Sequence, residues 1–243
     1  MLIINADDLG RSQVATDNIL ACHAHRRLSS TSAMVFMADS ERAAELALTS
    51  GIDVGLHINF SESFTGTSAS PRLREAHEKI RRFLKSSKYA LIFFHPFLRD
   101  QFRQVFTEQY AEFLRLYRRP PSHLDGHQHL HLATKMLFQR ILPAGTKVRR
   151  SFSFQPGEKS AFNRWYRDRV DRHLARHHRL TDYFFALAHN FTIERVQKIV
   201  ALSHESNVEF MTHPEMPADY HFLMSPEFGQ ALEPARLVGY DAL

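Results

Sequence analysis

Four short apolar runs of this chain end in residues able to bind a metal or move a proton: Asp7-Asp8, His57, Asp125-Gly126-His127 and His213. Carboxylate and imidazole together form the donor set of zinc, manganese, iron or magnesium, with carboxylate favouring the harder ions. Beside such an ion, a second carboxylate or imidazole serves as general base or acid. That chemistry is metal-assisted hydrolysis.

Each group also has an ordinary structural explanation. An Asp-Asp pair before a helix caps it or makes a turn. A histidine between apolar residues, as in Gly55-Leu56-His57-Ile58, is usually a hydrogen-bonded core residue. Asp125-Gly-His-Gln-His-Leu-His131 carries more information. In an extended chain His127, His129 and His131 share one side, so His127 and His129 compete as ligands while Asp125 supports a ligand histidine from behind. His213 precedes Pro214, which stiffens the turn and suits a proton-transfer role. His173, His177 and His178 share an arginine-rich stretch and read as a solvated face, and His95, His189 and His221 have no visible partner. What sets the four groups apart from scattered histidines is their shared position at strand ends.

The elements around them alternate. Strands are expected at Leu2–Ile4, Ser32–Met37, Ile52–His57, Ser122–Gly126, Lys147–Arg150, Asp182–Leu187 and Asn207–His213. Helices are expected at 12–25, 40–48, from His131 to Leu142, at 159–178, around 193–200 and from Pro226. A Ser/Thr/Gly-rich loop spans 61–70, and 72–118 is mainly helical, with Phe102, Phe106, Tyr110, Phe113 and Tyr117 as its core stripe and Pro120-Pro121 as its stop. Phe162, Tyr166, Val170 and Leu174 give the 159–178 helix a core-facing stripe. Strand–helix alternation implies a parallel sheet or barrel, with sites at the C-terminal strand ends.

Composition sets the outer limits. The 243 residues suit one domain, with 44% hydrophobic and 23% charged residues. The net charge is +5, and ten Lys and Arg against three acids lie in 147–180; this is too little to indicate nucleic acid. The single cysteine, Cys22, excludes an internal disulfide and reads as a core residue. No signal-type stretch opens the chain, and the apolar run 89–94 is too short to span a membrane. A cytoplasmic protein is expected.

The chain resembles the YdjC-type carbohydrate deacetylases, which include the ChbG and HpnK types. The resemblance is carried by Ile4-Asn-Ala-Asp-Asp-Leu-Gly10, Thr31-Ser-Ala33, Val54-Gly-Leu-His57, Ser122-His-Leu-Asp-Gly-His-Gln-His-Leu-His131 and Met211-Thr-His-Pro214. It implies a single-domain, distorted (β/α) TIM-like barrel over 1–243 that removes the acetyl group of an N-acetylated sugar with a divalent ion, Mg2+ before Zn2+ or another. It places the metal on Asp8, His57 and His127, the base on Asp7 and the acid on His213. Asp125 and His129 are expected behind the ligands. It also allows a homodimer. Arg149 or Arg150 is left to hold Asp7 ionised or to contact the sugar. Glu215 departs from the family pattern and sets an extra charge beside His213. Competing readings are a phosphoester hydrolase, a non-haem iron oxygenase, disfavoured by the strand–helix alternation, and a polyanion binder using 147–180.

Overall fold

The computed structural model describes residues 1–86, 98–132, 141–154 and 159–243. Its strands are β1 (Leu2–Leu9), β2 (Ser30–Ala33), β3 (Asp53–Ile58), β4 (Leu124–Gly126), β5 (Tyr183–Ala186) and β6 (Val208–Thr212). Its helices are α1 (Gln13–Ala24), α2 (Ser40–Ser50), α3 (Pro71–Ser86), α4 (Arg99–Tyr117), α5 (Ala161–Leu174), α6 (Ile193–Leu202), α7 (Pro217–Met224) and α8 (Pro226–Leu232). The strands form one parallel sheet in the order β4-β3-β2-β1-β6-β5.

The sheet curls. In a flat sheet β4 and β6 would lie four strand spacings apart, about 19 Å. Yet the Arg149 guanidinium meets Asp125 of β4, Asp7 of β1 and Glu209 of β6, each at 2.7 Å. Only a sheet rolled towards itself brings these carboxylates to one group. Segment 147–153 hydrogen-bonds to both edges: Arg149 N donates to Leu124 O (3.0 Å) and Ser153 N to Phe184 O (2.9 Å). Among the described residues six strands form the sheet, against the eight of a regular TIM barrel.

Register explains what lies on each side. Asn5 pairs with Met211, Ile3 with Glu209, Ser32 with Gly55 and His57 with Asp125. This set faces inward and is largely polar. The alternate residues, Ile4, Ala6, Val54, Leu56, Ile58, Leu124 and Phe210, are buried in the main apolar core with the helices. Ser12 caps α1 by accepting from Ala15 N (3.1 Å), and Cys22 is buried in the core. Phe102, Phe106, Phe113 and Tyr117 are buried as the spacing predicts, and α4 ends on Arg118 in the left-handed conformation, just before Pro120-Pro121.

Several expectations need correction. β1 continues through Asp8 rather than turning after Ile4, and β2 stops at Ala33. Lys147–Arg150 forms isolated bridges at Lys147 and Val148, not a full strand. α5 buries Val170 and Leu174, but Phe162 and Tyr166 are exposed, with Trp165 beside them. The aromatic half of that stripe therefore does not face the core. α7 was not anticipated. The helix expected from His131 to Leu142 falls largely outside the described residues, as do the apolar run 89–94 and His95. No described helix is long and apolar enough to cross a membrane.

Candidate metal centre

A regular strand sends neighbouring side chains to opposite faces, so Asp7 and Asp8 should not share a site. A register shift between Ala6 and Leu9 and a positive φ of 74° at Asp8 break the alternation. Aspartate tolerates that conformation better than most residues. Both carboxylates consequently approach His57 Nε2, Asp8 at 3.2 Å and Asp7 at 3.9 Å.

His57 comes from β3 and His127 from the turn after β4. His127 Nδ1 lies 3.3 Å from Asp8 Oδ1. Asp8, His57 and His127 each offer a ligand atom within 4.8 Å of the others. Asp7, His57 and Asp125 form a second such trio, but Arg149 already binds both of its carboxylates, so a cation there would meet a buried positive charge. The first trio is the better metal site. His57 Nδ1–H donates to Asp125 Oδ1 at 2.8 Å, so Nε2, 3.2 Å from Asp8, is the nitrogen that would turn its lone pair to an ion. One nitrogen ligand is thus preset, and the carboxylate–imidazole donor set fits a divalent ion.

Around it lies a closed charge network. Arg149 grips Asp7 with two bonds of 2.7 Å, Nη1 to Oδ2 and Nη2 to Oδ1. Asn5 Nδ2 donates to Asp7 Oδ1 (2.9 Å) and to Ser32 Oγ (2.7 Å), and Ser32 Oγ donates to Asp125 Oδ2 (2.7 Å). Burial alone would raise the Asp7 carboxyl, but Arg149 and His57 hold it below the usual range. Burial opposes Asp8 likewise, and its hydrogen bond and charge contact with His57 lower it strongly. Burial also disfavours charge on His57, yet Asp125 and Asp7 raise it well above the ordinary imidazole value. Burial pushes Glu209 up to about 7 against the pull of Arg149.

Arg149 is fully buried. Of the two roles open to it, the structure supplies the contact with Asp7, and a contact with sugar is sterically closed. Arg150 instead pairs with Asp171 (2.9 Å). His213 follows β6 and is partly exposed; its Nε2 lies 3.8 Å from Asp7 Oδ2, and its backbone N donates to Asp219 Oδ2 (2.8 Å). Glu215 is taken up by Arg11 Nη1 (2.6 Å) and Ser12 Oγ (2.7 Å), so its charge is paired away from His213.

The three alternate histidines do not share a side. Residues 127–132 form a tight 3-10 turn with Gln128 and His129 at positive φ. His127 faces Asp8. His131 turns inward and meets Arg149 O at 3.0 Å through Nε2. His129 packs edge-on against Phe152 (4.6 Å) and Phe184 (5.8 Å), and its Nδ1 has no hydrogen-bond partner among the described residues. The support expected of His129 therefore has no hydrogen bond to a ligand to carry it.

Asn5, Ser32, Glu209, Glu62 and Arg11 belong to the site and were not anticipated. A signal existed for some of them. Asn5 and Asp7 stand two apart in β1, and Glu209 interrupts an otherwise apolar Val208-Glu-Phe-Met211. Polar residues at period two in a buried strand mark an inward polar face.

Together these features define a parallel α/β protein with a carboxylate–imidazole cluster that could hold a metal ion at the C-terminal ends of its strands. The chain belongs to the YdjC-like protein family, whose profile matches residues 1–234. It is 31% identical over 137 residues to a chitooligosaccharide deacetylase of Serratia marcescens, covering 54% of this chain and 51% of that one. It is 32% identical over 127 residues to carbohydrate deacetylase 2 of Listeria innocua, covering 52% and 49%. Against a chitooligosaccharide deacetylase of Yersinia enterocolitica the identity is 28% over 229 residues, covering 88% and 81%. The chain thus spans about half the length of the first two relatives. Among solved structures, one from Enterococcus faecalis V583, assigned to cellobiose-phosphate cleavage, superposes with a TM-score of 0.68 at 18% identity, over 99% of this chain and 97% of that one. This likeness shows a shared fold.

Proposed function

We propose that this chain is a divalent-metal hydrolase that removes the acetyl group of an N-acetylated sugar, working on a distorted barrel that spans residues 1–243. The observation that carries the reading is the convergence of Asp8, His57 and His127 beside a separate, arginine-held Asp7. Its relatives' names supply the substrate class.

A divalent ion held by Asp8, His57 and His127 supplies Lewis acidity towards an amide carbonyl and towards water. Asp125 keeps His57 in the ligand tautomer. Arg149 keeps Asp7 ionised through the neutral range, so Asp7 stands ready to take a proton from the attacking water. His213, 3.8 Å from Asp7, delivers a proton to the departing amine. Because Asp7 holds a proton weakly, it can return that proton to His213 across 3.8 Å and reset both groups. Mg2+ suits the carboxylate ligand, and Zn2+ the two imidazoles.

The test is acetate release from a panel of N-acetylated sugars with Mg2+, Mn2+ or Zn2+, beside metal-stripped protein. Acetate release restored by one of the ions is expected. Phosphate release from sugar phosphates without acetate release from any amide would replace the reading with phosphoester hydrolysis.

A further inference from the structure

A second carboxylate stands beside a ligand imidazole. Glu62 Oε2 lies 3.8 Å from His127 Nε2, while Nδ1 of the same ring lies 3.3 Å from Asp8 Oδ1. The loop that carries Glu62 is built to place it. Asn59, fully buried, accepts from Ser61 N (3.1 Å) and Glu62 N (2.9 Å) and donates from Nδ2 to Glu62 O (2.8 Å). Gln109 of α4 fixes Asn59 in turn, accepting from its N (2.8 Å) and donating to its O (3.0 Å). The Glu62 carboxylate is gripped by Arg11 Nε, at 3.1 and 2.9 Å from its two oxygens.

We infer that Glu62 is the positioning residue of His127, accepting its Nε2–H so that Nδ1 is left free for the ion; this rests on Asp8, His57 and His127 being the metal centre. The chemistry is that of a neutral imidazole. One nitrogen donates and the other accepts, and an ionised carboxylate can only accept, so Asp8 at Nδ1 and Glu62 at Nε2 compete for the single N–H, and a ligand role for Nδ1 requires that proton on the Glu62 side. Asp125 accepts the N–H at His57 Nδ1 and frees Nε2. Glu62 does the reverse at His127 Nε2 and frees Nδ1. Glu62 lies outside the group of mutually close ligand atoms, and Arg11 shares its charge, which favours positioning over ligation. Through Glu215, Arg11 also ties this loop to the His213–Pro214 turn.

Nitrogen-detected NMR of histidine-labelled protein reads the tautomer directly, with and without added Zn2+ or Mg2+. Wild type is expected to hold His127 as Nε2–H when the ion is bound and to populate that tautomer without it. Glu62→Ala is expected to mix the tautomers and to weaken Zn2+ or Mg2+ binding, measured by calorimetry, about 10–100-fold. Glu62→Gln, whose amide oxygen still accepts from Nε2–H, should recover part of that loss, with an unchanged thermal midpoint as the folding control. An Nδ1–H tautomer in ion-loaded wild type overturns the inference, as does a Glu62→Ala variant with unchanged tautomer and affinity. A loss of binding far beyond about a hundredfold makes Glu62 a ligand and also overturns it. If tautomer and affinity shift as expected but no N-acetylated sugar releases acetate, the deacetylase reading fails and the positioning role stands.

Discussion

The floor and the mouth of the site are built from the same chemical parts and behave as different materials. On the floor, Arg149 is shared by Asp7, Asp125 and Glu209, all fully or almost fully buried. At the mouth, Arg11 is shared by Glu62 and Glu215, with a quarter to a third of each side chain exposed. Water at the mouth screens the pairs and limits each to about 0.2–1 kcal/mol. On the floor no water replaces a lost partner, so each charge depends on the others. Burial therefore divides the labour: the floor fixes Asp7 and His57, and the mouth brings Glu62 to within 3.8 Å of His127.

The largest break in this comparison should come from Arg149→Leu. It strands three buried carboxylates, and a loss of about 3–5 kcal/mol in urea unfolding is expected. A loss below 1 kcal/mol would mean that water reaches the floor. Next is Asp7→Asn, which keeps the shape of the carboxylate but cannot accept the proton. Turnover should drop by about two to four orders of magnitude with metal affinity unchanged, whereas Asp8→Asn and His127→Ala should lose metal and activity together. Full activity of Asp7→Asn on every amide tried would unseat the assigned base.

A pH effect of intermediate size follows from buried histidines near the floor and beside the mouth loop. Burial lowers His77, His123 and His131 to about 4 each. Their folded values lie below the unfolded value of about 6.5, so the unfolded chain binds more protons between the two. Stability is then full above pH 6.5 and is lost as pH falls towards 4. His57, raised by its carboxylates, works in the opposite direction, contributing stability below pH 6.5 that is lost as pH rises, but burial also lowers His129, to about 3, so it is one group against at least four. Urea midpoints at pH 7 and pH 5 should show the decline, and His123→Phe, which keeps a ring stacked on Tyr240, should make it shallower. The smallest effect belongs to the mouth: Arg11→Ala should cost less than about 1 kcal/mol of stability by the same urea assay. A cost matching that of Arg149→Leu would erase the distinction between the two regions.

Much of the site was legible because local pattern encodes it. Asp8, His57 and His127 stand out as polar ends of apolar runs, and the stop of α4 is written in Pro120-Pro121. The aromatic stripe of α4 was legible for the same reason, whereas that of α5 misled, since periodicity reveals an amphipathic face without revealing whether anything covers it. Glu62 and Arg11 were invisible because they lie 51 residues apart and meet only across the mouth.

The sequence by itself determined which residues could do chemistry, that strands deliver them, and that strand and helix alternate. All three follow from side-chain type and short-range spacing. Tertiary structure decided the rest: that Arg149 binds Asp7 and is closed to solvent, that the 127–132 turn sends His127 to Asp8 and His129 to Phe152, and that Glu215 is paired with Arg11. Each depends on the curl of the sheet or on a positive φ at Asp8, Gln128 and His129. Those features arise where distant strands meet, and no local spacing records them.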